Sequence, residues 1–214
     1  MTVQVLVADD HAIIRDGIKK ILADTDDLVV SGEAADGHAV LDRIAHAHFD
    51  LLILDLSMPG RKGIELVKLV KAEHPKLAVL VFSMHPEEQY AVRCIRAGAS
   101  GYLSKEADSE LFLPAIRKVA AGGMYVSAKV AELLALDVSH RKMNGAHASL
   151  TDREFEVMIR IVRGTSLTDI SKEFSLSIKT ISTHKTHILT KLELANQADL
   201  VRYAIENQLL DLDH

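Results

Sequence analysis

The fold is decided by the stretch Leu51-Leu52-Ile53-Leu54-Asp55-Leu56-Ser57-Met58-Pro59-Gly60. Four consecutive apolar residues read as a short strand buried on both faces, the pattern of a central strand in a parallel sheet. A carboxylate follows where the strand ends, and Pro59-Gly60 turns the chain away. In open α/β sheets the carboxyl ends of the strands form the functional edge. An ionised acid buried there is costly unless a cation or a donor accompanies it. Asp55 is therefore the candidate reactive acid.

The segments around it repeat one plan. Residues 4–8 read as a strand ending in Asp9-Asp10, and 12–22 carry helical spacing at Ile14, Ile18, Ile21 and Leu22. A second strand is expected over 28–34, then a helix opened by Asp36-Gly37 with Val40, Leu41 and Ile44. After the Asp55 strand come a helix over 63–73, a buried strand over 77–82 leading to Ser83, and a helix whose first turn holds Pro86-Glu87-Glu88. A short fifth strand, Gly101-Tyr102-Leu103, leads to Lys105, and Asp108 or Ser109 can cap a last helix running to about Ala121. Pro114 falls well inside that helix, so it either starts later or kinks. Five strands alternating with helices mean a doubly wound parallel sheet covered on both faces.

From Gly122 the character changes. Gly122-Gly123 stops the helix, residues 128–136 suit a short one, and 139–149 are small and polar with Asn144-Gly145, the composition of a linker. From Leu150 every element reads as helical, giving a small all-α domain of four helices. Thr151 with Glu154 and Ser166 with Asp169 are capping-box patterns, and Asn196 with Asp199 is a looser one. The expected division is 1–121, 122–148 and 149–214.

Composition sets the outer bounds. The 214 residues are 48% apolar and 26% charged, ordinary for a globular protein of two small domains. The start of the chain lacks the basic and long apolar regions of a signal peptide, and no apolar stretch reaches spanning length. Cys94 stands alone, which suits a reducing cytoplasm. A net charge of −5 means that any DNA surface must be local. The eleven histidines do not read as a metal site; His46 and His48 point apart on a helix, and His11 belongs to a first helical turn.

In a doubly wound sheet Asp9-Asp10, Asp55, Ser83 and Lys105 converge on one crevice. Clustered carboxylates repel unless a hard divalent cation binds them. Mg²⁺ accepts one or two carboxylates together with water and phosphate oxygens, and phosphate transfer to an acid gives an aspartyl phosphate. A cation and an ammonium would neutralise the incoming oxygens.

The motifs Asp9-Asp10-His11, Asp55-Leu56-Ser57-Met58-Pro59 with Gly63, Ser83-Met84-His85 and Gly101-Tyr102-Leu103-Ser104-Lys105 resemble the receiver of a two-component response regulator of the NarL/FixJ type. The resemblance implies a flavodoxin-like receiver in which Asp55 accepts phosphate from a histidine kinase. Mg²⁺ would be held by Asp10, Asp55 and the Ser57 carbonyl, with Asp9 acting through water. Lys105 would pair with the phosphate, Ser83 would donate to it, and Tyr102 would swing with Ser83. Two departures stand out. Lys62 places a positive charge near the rim, and Glu106 follows Lys105 where many receivers have Pro, so that a cis peptide there is conceivable though expensive.

The second half is similar to the LuxR/FixJ helix-turn-helix, through Leu150-Thr151-Asp152-Arg153-Glu154 and Ser177-Ile178-Lys179-Thr180-Ile181-Ser182-Thr183-His184, followed by Ile188, Lys191 and Leu192. Residues 167–174 would be the scaffold helix and 178–191 the recognition helix, lying in the major groove. A helical wheel places Ile181, Ile188 and Leu192 on a core stripe and Lys179, Thr183, Thr186 and Thr190 opposite, with Ser182 and His187 at the borders. Lys179, Thr180, Ser182, Thr183, Lys185, Thr186 and Thr190 form the expected DNA-contacting set, Lys185 reaching a phosphate and His184 packing inward. No acid occurs between Leu176 and Leu192.

The implied protein is a cytoplasmic, non-enzymatic transcription factor that binds promoter DNA as a dimer once phosphorylated. A dimer contact through Val201, Ala204 or Ile205, and masking of the recognition helix by the unphosphorylated receiver, follow from the same resemblance. A phosphohydrolase using Asp55 is the competing enzyme, but Ser57 stands where its second acid would be. A DNA-binding regulator whose receiver acts without phosphorylation is the other alternative.

Overall fold

The computed structural model of the chain describes residues 2–59, 63–139, 146–207 and 209. Gly60, Lys62 and Asn144-Gly145, singled out above, lie outside the described residues. The chain divides into two compact units, Met1–Ala135 and Leu136–His214.

In the first unit the order is β1 (Val3–Ala8), α1 (Ala12–Ala23), β2 (Leu28–Ala34), α2 (Gly37–His46), β3 (Leu51–Leu54), α3 (Gly63–Glu73), β4 (Ala78–Ser83), α4 (Glu87–Arg96), β5 (Gly101–Ser104) and α5 (Phe112–Ala120). All strand pairs are parallel, and the sheet order is β2-β1-β3-β4-β5. The central strand β3 is buried at all four positions, as a strand with helices on both faces requires. Its register against β1 pairs Leu54 with Ala8, and the Asp55 amide then donates to the Ala8 carbonyl at 2.9 Å. That single register brings Asp55 level with the acids following β1.

Alternate strand residues serve opposite faces. Val5, Val7, Leu51, Ile53 and Leu80 form one core with Ile18 and Leu22 of α1 and with Ile116 and Val119 of α5. Leu6, Leu52, Leu54, Val79 and Val81 are equally buried on the other side, where Val40, Ile44, Val67, Val70 and Ala91 supply apolar surface from α2, α3 and α4.

The helix that follows β5 does start late. Asp108 caps a 3₁₀ turn over Ser109–Leu111, α5 begins at Phe112, and Pro114 sits in its first turn, where no amide is needed. Beyond α5, Gly122 takes a left-handed φ of 82° and turns the chain. The helix α6 (Ala128–Ser139) follows. Tyr125 forms a parallel bridge with Gly101, and Val130 is fully buried. Residues 123–130, expected as linker, thus pack within the first unit.

The second unit contains α7 (Asp152–Val162), α8 (Leu167–Glu173), α9 (Ile178–Lys191) and α10 (Gln197–Glu206). The caps read from sequence form. Thr151 and Glu154 make a complete capping box, Ser166 accepts from the Asp169 amide, and Asn196 accepts from the Asp199 amide. Phe155, Ile159, Ile170, Ile181, Ile188, Leu192, Leu200 and Ala204 build the core. Among the described residues no helix is long and apolar enough to cross a membrane.

Candidate functional site

The first site forms at the carboxyl edge of the sheet. Asp9 follows β1, and its amide donates to Ala34 of β2 at 3.1 Å. Asp55 follows β3, and its side chain accepts from the Ser57 amide at 3.2 Å. Ser83 closes β4 with no exposed surface. Lys105 follows β5, and its amide donates to the Ser83 carbonyl at 2.9 Å. The four strand ends that the sequence nominates are brought together.

Lys105 organises the charge. Its Nζ donates to Asp9 Oδ2 at 2.6 Å and to Asp55 Oδ2 at 3.0 Å, with both carboxylates 3% exposed. Burial pulls the Lys105 pKa down, but the Asp9 and Asp55 carboxylates override that and hold it above the usual lysine range. Among the described residues two buried carboxyl groups share the one buried ammonium of Lys105, an arrangement that a further cation can complement.

Atoms of Asp9, Asp10, His11 and Asp55 lie within 4.8 Å of one another. The sequence does not nominate His11 for this cluster. It is the N-cap of α1, and its Nδ1 stands 3.2 Å from Asp9 Oδ1 and 3.0 Å from Asp10 Oδ1. A His preceding a helix carries no signal of that placement. Asp10 is exposed while Asp9 is buried, so the outer acid faces solvent and the inner one faces Lys105.

The remaining first-unit residues of interest sit on the β4 side. The Ser83 hydroxyl accepts from the His85 amide at 3.3 Å, and the Tyr102 hydroxyl donates to the His85 carbonyl at 2.6 Å. Burial, with Cys94 and Tyr90 adding to it, raises the Tyr102 pKa far above the ordinary phenol range, so it is a permanent donor. The His85 ring stacks on Tyr90 at 4.4 Å and approaches Ser57 Oγ at 3.3 Å. The Lys105–Glu106 peptide is trans, since the described residues contain no cis bond. The backbone there meets its needs in an ordinary turn, with the Glu106 amide donating to Ser104 Oγ at 3.1 Å.

The second site is the outer face of α9. Ser177 caps it by accepting from the Thr180 amide, and Ser175 enters the preceding turn with φ 53°. Lys179, Ser182, Thr183, Thr186, His187 and Thr190 are exposed, while Ile181 and Ile188 are buried, as the wheel requires. Thr180 and Lys185 are half-buried. Lys185 Nζ donates to Gln197 Oε1 at 2.7 Å. The hydroxyls of Thr183, Thr186 and Thr190 donate to the carbonyls of Lys179, Ser182 and Thr186 at 3.0, 3.1 and 3.0 Å. Each can still accept from a base or a water, but its donor is used within the helix. Ile178, at 51% exposure on the first turn, is an apolar addition that the wheel does not single out. His184 packs inward, with its Nδ1 buried and without a partner among the described residues.

On α10, Ile205 is 44% exposed and Val201 half-buried, but Ala204 is fully buried. Ala204 belongs to the unit's own core and drops out of the expected dimer contact, because periodicity alone cannot distinguish a core stripe from an outer one.

Residues 5–117 match the response regulator receiver domain, and residues 148–204 match the luxR family of bacterial regulatory proteins. The oxygen regulatory protein NreC of Staphylococcus haemolyticus is 36% identical over 215 residues, covering 97% of this chain and 99% of the relative. NreC of Staphylococcus carnosus is 34% identical with the same coverage. Among solved structures, RcsB of Salmonella enterica serovar Typhimurium, bound to promoter rprA in the presence of phosphomimetic BeF3-, has a TM-score of 0.70 at 28% identity over 95% of this chain and 98% of that one. A further structure of the RcsB response regulator of Salmonella typhimurium gives 0.72 at 30% identity, over 96% and 98%. With a buried acid pocket in one unit, a capped helix-turn-helix in the other, and relatives matched along nearly their whole length, the chain belongs to the response regulators: a receiver joined to a LuxR-type helix-turn-helix, and a DNA-binding transcription regulator of two-component signalling.

Proposed function

We propose that Asp55 is the phosphoacceptor and that its phosphorylation by a histidine kinase sets the DNA affinity of α9. The observation that carries this reading is the clamp of Lys105 on Asp9 and Asp55 at the carboxyl edge of the sheet. In the transfer, an Asp55 carboxylate oxygen attacks phosphorus, an O–P bond forms, and the bond from phosphorus to the donor imidazole breaks. The neutral imidazole leaves with its electron pair, and an acyl phosphate remains on Asp55. Lys105 would pair with the new oxygens, and the Ser83 hydroxyl would donate to one of them.

Mg²⁺ fits the donor set, because among the described residues the carboxylates of Asp9, Asp10 and Asp55 converge, with the Lys105 ammonium paired to two of them. Asp10, Asp55 and the Ser57 carbonyl would hold it, with Asp9 acting through water. When bound, the ion neutralises charge on the phosphoryl oxygens.

The division we propose is a receiver over 1–121, a connector over 122–148 and a DNA-binding domain over 149–214. Lys179, Thr180, Ser182, Thr183, Lys185, Thr186 and Thr190 form the DNA-contacting set, and Val201 with Ile205 the contact between two copies on inverted half-sites. The protein acts in the cytoplasm and is phosphorylated rather than turning over a substrate.

The test is a binding titration on duplexes selected from a random pool, with and without acetyl phosphate and Mg²⁺. Treatment is expected to tighten binding at least tenfold in the native chain and to leave Asp55→Asn unchanged. Equal binding in every arm would favour a receiver that works without phosphorylation.

A further inference from the structure

The recognition helix carries a narrow set of groups for reading bases. From Ile178 to Lys191 there is no arginine, asparagine, glutamine or acid. Most of the side chains that grip one base edge with two hydrogen bonds, arginine on guanine and asparagine or glutamine on adenine, are therefore absent from α9. Of its three lysines two are engaged. Lys191 Nζ donates to Glu154 Oε2 at 2.7 Å, and Lys185 Nζ donates to Gln197 Oε1 at 2.7 Å.

Most of the hydroxyl protons are engaged as well. Those of Thr183, Thr186 and Thr190 go to carbonyls one turn back, at 3.0, 3.1 and 3.0 Å, and Thr180 Oγ1 lies 2.8 Å from Ser177 Oγ. Turning one of these protons out to a base gives up a bond within the helix. The exposed Thr183 and Thr186 then offer a duplex an accepting oxygen and a methyl group. Ile178 adds a purely apolar side chain, 51% exposed in the first turn. The N-terminal residues of a recognition helix are the ones that meet base edges.

An accepting oxygen alone does not choose a base pair, because A·T and G·C each show one amino donor in the major groove. A methyl group does, since thymine alone of the four bases presents one there. We propose that α9 selects A·T pairs within each half-site. Ile178 and the methyls of Thr183 and Thr186 pack on thymine 5-methyl groups, and the two threonine oxygens accept from adenine N6. This base reading rests on α9 lying in the major groove, and it names what the groove-facing residues recognise.

The test removes thymine methyls one at a time. A duplex is selected from a random pool by the full chain treated with acetyl phosphate and Mg²⁺, then remade with deoxyuridine in place of each thymidine in turn. Binding is titrated for the native chain, Ile178→Ala, Thr183→Ser and Lys179→Ala. The native chain should lose about fourfold at two or more thymines of each half-site, the cost of leaving one methyl group unburied. Ile178→Ala should be insensitive to one of those replacements and Thr183→Ser to another, since the facing methyl is already gone. Native affinity unchanged by every replacement would overturn the proposal, as would both variants keeping the full native loss at every position. Should the pool yield no preferred duplex, or all three variants bind as tightly as the native chain, α9 is out of the groove. The reading on which the base selection rests then fails with it.

Discussion

The acid pocket and the recognition helix solve opposite problems. The pocket gathers Asp9, Asp55, Ser83 and Lys105 from four strand ends, and Lys105 lies 96 residues from the Asp9 it bonds. Its geometry is a property of the sheet order, and its charges are buried and mutually dependent. The recognition face is drawn from a single helix, is exposed, and depends on tertiary structure only through the stripe that seats it. In the pocket one substitution should disturb every member, whereas on α9 each should act nearly alone.

The largest effect is expected at Lys105. Replacing it with Met leaves two buried carboxylates facing each other, and breaking a buried pair in this way costs ~3 kcal/mol. The urea midpoint of the receiver unit should fall accordingly without Mg²⁺ and recover much of the deficit when Mg²⁺ is added. No recovery would mean that the acids do not share a cation.

Base readout comes next. Ser182→Ala and Thr183→Val should change which bases are preferred, with ~2 kcal/mol at stake for a good base contact. Because Thr183 already donates to Lys179, it must meet a base as an acceptor or through its methyl. Thr183→Ser keeps the acceptor and Thr183→Val keeps the methyl, so one of the two should be milder than Thr183→Ala, and equal loss in all three in selected-duplex titrations would misplace the helix in the groove.

A smaller change is expected from the long cations. Lys179→Ala or Lys185→Ala should weaken all duplexes alike and reduce the slope of log affinity against log salt by ~0.9 for each phosphate that the lysine neutralises. Lys185 must leave Gln197 to reach a phosphate, so Gln197→Ala should bind slightly tighter than the native chain.

The smallest effect is on pH. Burial depresses the His184 pKa; Glu154 opposes this, and Arg153 and His187 reinforce it. The unfolded chain therefore takes up the proton first as pH falls. Stability from this group is complete above about pH 6.5 and is lost below it, toward the lower folded value. Exchange protection in α7 and α9, corrected for intrinsic rates, should fall between pH 7.5 and 5.5, and fall less in His184→Gln.

Much of this is legible in the sequence because local pattern and topology agree. The run Leu51-Leu52-Ile53-Leu54 can only be a doubly covered strand, and once it is central the acids after β1 have to meet Asp55. The caps of α7, α8 and α10 are equally readable, since each is closed within three residues. What stays hidden depends on distance or on competition between partners. Tyr125 has no strand pattern around it, and its bridge exists only because Gly101 leaves room. His11 joins the acids through the turn after β1. Ala204 shares its spacing with exposed neighbours, and only packing against the rest of the unit separates them. The threonines of α9 look free on a wheel, yet the nearest acceptor for each hydroxyl is the carbonyl one turn back.

The central claim is that the buried carboxylate after β3 takes the phosphate. The direct measurement is the intact mass of the full chain after acetyl phosphate and Mg²⁺, beside Asp55→Asn and a sample with the metal chelated. One added phosphate in the native chain, and none in the other two, is the predicted result. An equal gain in Asp55→Asn would contradict the account.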